Sequence, residues 1–297
     1  MDTLCFMRII RTITELRRWR QALSATARVV FVPTMGALHA GHGHLVQLAR
    51  QAAGPDGCVL VSIFVNPKQF GPAEDFASYP RPFAEDARLL RQWRTDILFA
   101  PTAREMYPQD EAPADSPRDP AGYQDPLGDV LEGKIRPGHF HGVCVVVARL
   151  LAMVQPGMLI LGQKDYQQQL ILRRMIREMN FPVDVLTAPT IREPDGLAMS
   201  SRNRRLTPRE RPAAAVVYRA LCRAKDEILH GRREVKHLIE EMAGPIAAAG
   251  LEVQYALPCH ADTLAEFAGV VNDRCVLLVA ARLGATRLID NVVVPQE

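Results

Sequence analysis

Residues 28–46 read RVVFVPTMGALHAGHGHLV. The apolar run Val29 to Val32 has no polar interruption, as in a parallel strand covered on both faces. Pro33 closes the run, Gly36 supplies a turn, and helical spacing begins near Gly41. A strand, a glycine turn and a helix in this order begin a βαβ unit. Similar apolar runs recur at 58–65 (CVLVSIFV), 97–100 (ILFA) and 158–161 (MLIL). Helical spacing occupies 41–53, 83–93, 143–154 and 166–179. The alternation predicts an α/β fold, a Rossmann-like doubly wound parallel sheet, whose ligands bind beyond the C-terminal ends of the strands.

Beyond about residue 189 the pattern changes. Two long helical stretches, 208–230 and 234–249, precede short strands near 252–257, 275–281 and 288–290. This predicts a first domain over 1–189 and a smaller C-terminal α+β domain over 190–297. The Pro- and Asp-rich segment 109–125 reads as a long surface loop.

The chain has 297 residues and 36 Lys+Arg against 33 Asp+Glu, a net charge of +3. So small an excess argues against a broad nucleic-acid surface, though not against a local phosphate pocket. No apolar run approaches the roughly 18 residues that would span a bilayer. The N-terminal stretch MDTLCFMRIIRTITELRRWRQAL carries five arginines, a short apolar run and no small-residue cleavage site. It reads as a first amphipathic helix rather than a secretory signal or a presequence. The six cysteines form no CxxC pair, and Cys58, Cys144 and Cys275 sit in apolar runs. That pattern predicts buried free thiols in a reducing cytoplasm.

Four segments carry chemistry. In the first, His39 and His42 flank Gly41 at a helix start, where backbone amides attract phosphate and imidazoles add donors. The HxGH pattern resembles that of the nucleotidylyltransferase-like superfamily. No third ligand stands at a metal-site spacing. The second, SIFVNPKQF at 62–70, ends an apolar strand in Asn66-Pro67 and Gln69; amides can orient a small hydroxy acid, although alone this is an ordinary Asn-Pro turn. In the third, GQKDYQQ at 162–168, Lys164 suits a phosphate or carboxylate and Asp165 a ribose hydroxyl or a helix cap, with Gln168 on the first helical turn. The fourth, REPDGLAMSSRN at 192–203, offers Ser200, Ser201 and Arg202 as a flexible phosphate clamp. It resembles the mobile serine/lysine loop of class I aminoacyl-tRNA synthetases.

Taken in order, VPTMGALHAGH, VSIFVNPKQFGPAEDFASYPR, RPGHFHGV, GQKDYQQ and REPDGLAMSSRNRRL closely resemble the pantoate–beta-alanine ligase family. The resemblance runs from about Met7 to Val294 and leaves residues 1–6 outside it. It implies an AMP-forming ligase that joins pantoate to beta-alanine through a pantoyl adenylate. It further implies ATP as co-substrate with Mg²⁺, a homodimer, a cytoplasmic location, and no nucleic-acid or membrane partner. Carried over by position, His39 and His42 contact the ATP phosphates, and Lys164, Ser200, Ser201 and Arg202 clamp them. Met35, Gly41, Gly162, Asp165, Ile191 and Met199 complete the ATP site, Met35 also serving the apolar wall. Gln69 and Gln168 orient pantoate, with Pro33, Phe64, Val143, Val146 and Val147 as its apolar wall. Asn66, Tyr79 and Arg136 fall on the rim or beta-alanine side, and Glu85 and Asp86 on the Mg²⁺ side.

Three features depart from the family pattern. Gly43 stands where a larger apolar residue is usual, which should loosen the helix by up to about 1 kcal/mol. Arg205 replaces a common aromatic, and the 109–125 loop looks long. A sister adenylyltransferase acting on a phosphorylated substrate would keep HxGH, but would want cationic groups where Gln69 and Gln168 stand. A catalytically dead binding protein would have lost polar residues that are all present here. A tRNA-binding role would need a basic stripe with aromatics that the second domain lacks.

Overall fold

The computed structural model describes residues 7–24, 26–71, 76–108 and 123–295. The chain separates into two compact units, one holding the residues up to 163 with 168–188, the other 164–167 with those from 189 onward. The first unit contains β1 (Arg8–Ile10), α1 (Ile13–Ala22), β2 (Val29–Thr34), α2 (Ala40–Ala53), β3 (Cys58–Ile63), α3 (Phe83–Gln92), β4 (Ile97–Phe99) and α4 (Ala103–Met106). It continues with α5 (Glu132–Ile135), α6 (His139–Val154), β5 (Met158–Gly162), α7 (Tyr166–Glu178) and β6 (Asp184–Ala188), although the first residues of α7 group with the second unit.

The six strands form one parallel sheet in the order β1-β4-β3-β2-β5-β6. Central β2 is buried from Val29 to Val32, at no more than 1% exposure, which is why its sequence shows no alternation. Val30 and Val32 pack with Val46 of α2, Val59 and Val61 of β3, and Leu90 of α3 in one core cluster. β2 and β5 pair only at Val30–Met158 and Phe31–Leu159. They therefore part before their ends at Thr34 and Gly162. Here the chain order reverses across the sheet, the position at which open α/β sheets bind ligands.

The N-terminal reading needs one correction. The segment expected to be a single amphipathic helix begins as β1, paired with β4 at Ile9–Leu98. Three residues are too few to show a period, and the strand depends on its partner's hydrogen bonds. The helix starts later, at a capping box in which Thr12 and Glu15 satisfy each other's backbone N–H.

The second unit holds α8 (Arg211–Ala214), α9 (Val216–Leu229), α10 (Val235–Ala248) and an antiparallel sheet of β7 (Glu252–His260), β8 (Cys275–Leu283) and β9 (Thr286–Val294). Leu221, Leu238, Met242, Ile246, Leu277 and Val279 belong to its core. The helical stretch expected over 208–230 is divided between α8 and α9. Most of the 109–125 segment lies outside the described residues. Among the described residues no helix is long and apolar enough to cross a membrane.

Gly43 has a packing reason. A Cβ there would lie 2.8 Å from Cε2 of Trp93, so the indole fills the space a larger residue would take. We expect Gly43→Ala to destabilise the native protein by about 1–2 kcal/mol, because overpacking outweighs the gain in helix propensity. In a Trp93→Leu background the same change should stabilise. Urea unfolding of the four proteins measures this reversal of sign; equal effects in both backgrounds would refute the pairing.

Candidate active site

Between β2 and α2 the backbone turns sharply, with Gly36 at φ +78° and Ala37 at φ +51°. Glycine is required at 36 on two counts: its φ, and a Cβ that would fall 2.9 Å from Asp86 Oδ2. Side chains collect the amides of this loop. Thr34 Oγ1 accepts from Gly36 N (3.2 Å), and buried Asp86 accepts from Ala37 N (2.9 Å) and Leu38 N (2.8 Å). His42 Nδ1 accepts from His39 N (3.3 Å), and His39 Nδ1 accepts from Gly41 N (3.2 Å). The two histidines thus make a reciprocal helix cap, their rings 4.1 Å apart. A neutral imidazole that accepts at Nδ1 carries its proton at Nε2. The expectation that loop amides themselves receive phosphate is therefore corrected for these five N–H groups. They are turned to side chains, and the proton of each neutral imidazole is left at Nε2.

After β3, Asn66 caps a short helical turn over Pro67–Gln69. Its amide is saturated: Nδ2 donates to Gly142 O (2.9 Å) and Gln69 Oε1 (3.2 Å), while Oδ1 accepts from Tyr107 Oη (2.8 Å) and Lys68 N (3.2 Å). Gln69 is oriented by this contact, so that its Nε2 points to Met35 Sδ (2.8 Å) just past the end of β2. Lys68 and Arg149 each place their charge over the Tyr107 ring, at 4.5 and 5.2 Å. Phe64 is buried, 6.0 Å from the same ring. Val143, Val146 and Val147 are buried in α6. Gln168 is half-buried on the first turns of α7.

In the second unit Arg192 forms a two-pronged pair with buried Asp290, at 2.6 and 3.0 Å, and lies 3.5 Å from the Tyr218 ring centroid. It also donates to Gly196 O (3.1 Å). Met199 N bonds Ile191 O (2.9 Å), and Asn203 donates to Glu193 (2.7 Å) and Ala198 O (3.0 Å). Arg211 binds Glu193 and Asp195, and its hydrogen bond holds the Asp195 carboxyl below the usual range. Ser200 caps the turn Ser201–Arg205 by accepting from Arg202 N. The loop expected to be a flexible clamp is thus braced at both ends. Asn291, next to Asp290, donates to Lys164 O (2.9 Å), so neighbouring residues of β9 hold Lys164 and the serine loop. Lys164 Nζ lies 3.9 Å from Asp165.

Residues 8–293 match the family described as pantoate-beta-alanine ligase. The chain belongs to the pantoate–beta-alanine ligase family of enzymes. It is 42% identical to pantothenate synthetase from Thermus thermophilus, covering 98% of this chain and 100% of that one, with a TM-score of 0.87. A pantoate-beta-alanine ligase from Francisella tularensis, complexed with beta-gamma ATP and beta-alanine, is 33% identical, covering 98% and 99%, at a TM-score of 0.77.

Within this ligase, some expected roles change. Asn66, expected on a rim, has no exposed surface and no hydrogen-bonding capacity to spare. Asp86, expected beside Mg²⁺, spends both oxygens on backbone N–H groups, and its neighbour Glu85 is exposed. Among the described residues no three His, Cys, Asp or Glu side chains gather as a metal site. Tyr79 packs edge-on to Phe70 and Arg136 is half-buried beside His139. Burial pushes the thiols of Cys144, Cys259 and Cys275 up to about 12, away from thiolate chemistry. The motif reading missed Thr34, Tyr107, His139 and Asp290; Thr34 and His139 stood inside quoted motifs, but without an assigned role.

We expect Asp86→Asn to cost about 2 kcal/mol, because one amide N–H must face a buried backbone donor. Urea unfolding checks this, and a stability within about 0.5 kcal/mol of native would overturn the loop-holding role.

Proposed function

We propose that this protein condenses pantoate with beta-alanine at the expense of ATP, in pantothenate and coenzyme A biosynthesis. The observation that carries the reading is the reciprocal histidine cap, which fixes two Nε2–H donors where β2 and β5 part. In the first step the pantoate carboxylate attacks the α-phosphorus, the bond to the bridging oxygen breaks, and pyrophosphate leaves. In the second, the beta-alanine amine attacks the acyl carbon, AMP departs with the C–O electrons, and the amine loses a proton. A carboxylate becomes a good acyl donor once its oxygen belongs to AMP. Such steps need positioning and charge stabilisation rather than a protein nucleophile.

His39, His42, Lys164, Ser200, Ser201 and Arg202 take the phosphates in this proposal. Gly41, Gly162, Asp165, Ile191 and Met199 hold the nucleoside. Gln69, Gln168, Pro33, Met35, Phe64 and the three valines take pantoate, and Tyr79 and Arg136 the beta-alanine side. Magnesium enters with ATP as part of the substrate. We further propose a cytoplasmic homodimer.

Exchange of labelled pyrophosphate into ATP, with pantoate present and beta-alanine omitted, tests the first step directly. Exchange should require pantoate and fall at least about a hundredfold in His42→Ala and Lys164→Ala. Losing the His42 cap costs only about 1 kcal/mol, so that variant should still fold. Pantoate-independent exchange, or none in folded native protein with Mg²⁺, would refute the adenylate route.

A further inference from the structure

His139 is buried at the first position of α6, between two groups that the functional reading places at the substrates. Its Nε2 lies 3.0 Å from Arg136 Nη1, and its Nδ1 lies 2.8 Å from the carbonyl oxygen of Gln69. A guanidinium only donates, so Nε2 accepts. The ring proton is then on Nδ1, donated to Gln69 O, and the ring is neutral. This is the tautomer opposite to that of His39 and His42. An imidazolium here would set a second N–H against the Arg136 N–H groups and add a positive charge at a helix N-terminus.

One turn further along α6, a Cβ on Gly142 would come 2.1 Å from Lys68 O. Helix and turn are therefore in backbone contact. Asn66 ties the start of the turn to Gly142 O, and His139 ties its end. We propose that His139 is a positioning residue for the acid substrate: it fixes Gln69 from behind and sets Arg136 in register with it. The proposal rests on the functional reading above, with Gln69 facing pantoate.

The test uses the full chain and three variants. The amide N–H of His139→Asn takes the place of Nδ1–H and can still donate to Gln69 O. The amide oxygen of His139→Gln reaches the Nε2 position and can accept from Arg136, but leaves Gln69 O without its donor. We expect KM for pantoate to rise about tenfold in His139→Ala and His139→Gln, a typical effect of one lost hydrogen bond. It should return to within about threefold of native in His139→Asn, with KM for ATP unchanged throughout. A structural role alone would move all three KM values or only the melting temperature. Equal pantoate KM in all four proteins, or rescue by Gln rather than Asn, overturns the proposal. If His139→Ala does not fold, the Asn/Gln pair decides. Nitrogen-15 spectra of the imidazoles read the tautomer without turnover, and an Nε2–H form at His139 overturns the proposal. A native protein inactive with pantoate refutes the functional reading and the acid-binding role together; an active one with unmoved KM refutes this inference alone.

Discussion

A chain that leaves a buried strand and enters a helix within six residues must find acceptors for amides that neither element satisfies. Here the N–H groups of Gly36, Ala37, Leu38, His39 and Gly41 are taken by Thr34, Asp86, His42 and His39. This solution shapes everything downstream. It stabilises two consecutive residues at positive φ, sets the first turn of α2, and chooses the histidine tautomer. An N–H accepted at Nδ1 becomes, through the ring, an N–H offered at Nε2. Donor capacity that a glycine-rich loop would present as backbone is moved out onto side chains.

The parallel sheet was legible because β2, β3, β4 and β5 lie in short, almost continuously apolar runs alternating with helical spacing, as strands buried on both faces do. β1 was not, because three residues carry no period and its partner β4 lies far along the chain. Among the site residues, the histidine pair was legible as HxGH, since cap and ligand both demand that spacing. That Asn66 and Asp86 hold the protein's own backbone was hidden for one reason. A polar residue next to a motif looks the same in sequence whether its atoms face a substrate or the protein.

The holding partners were illegible because they are remote. Asp86 is 49 residues from Ala37, Asp290 is 98 from Arg192, and Asn291 is 127 from Lys164. Nothing local marks Asp290-Asn291 in β9 as more than a polar break in an antiparallel strand. Yet Asp290 neutralises the guanidinium that ties down one loop, and Asn291 binds the backbone of another. Burial makes these attachments strong: Asp290 is 4% exposed, and a carboxylate so placed is held by its hydrogen-bonded partner rather than by water.

Saturation separates the residues that hold from those that can act. Asn66 gives both amide hydrogens and both lone-pair directions to the protein, and Asp86 gives both oxygens to backbone. Asn66 cannot bind a substrate without breaking what it holds, and loss of either residue falls on the loop that carries a proposed ligand-contacting residue, Gln69 or His39. Replacing such a residue should therefore mimic the loss of an active-site group while touching no substrate. Activity alone cannot tell the two apart. A saturated residue shows its role in stability or in a split among substrate KM values, and an acting residue shows it in the rate of the chemical step.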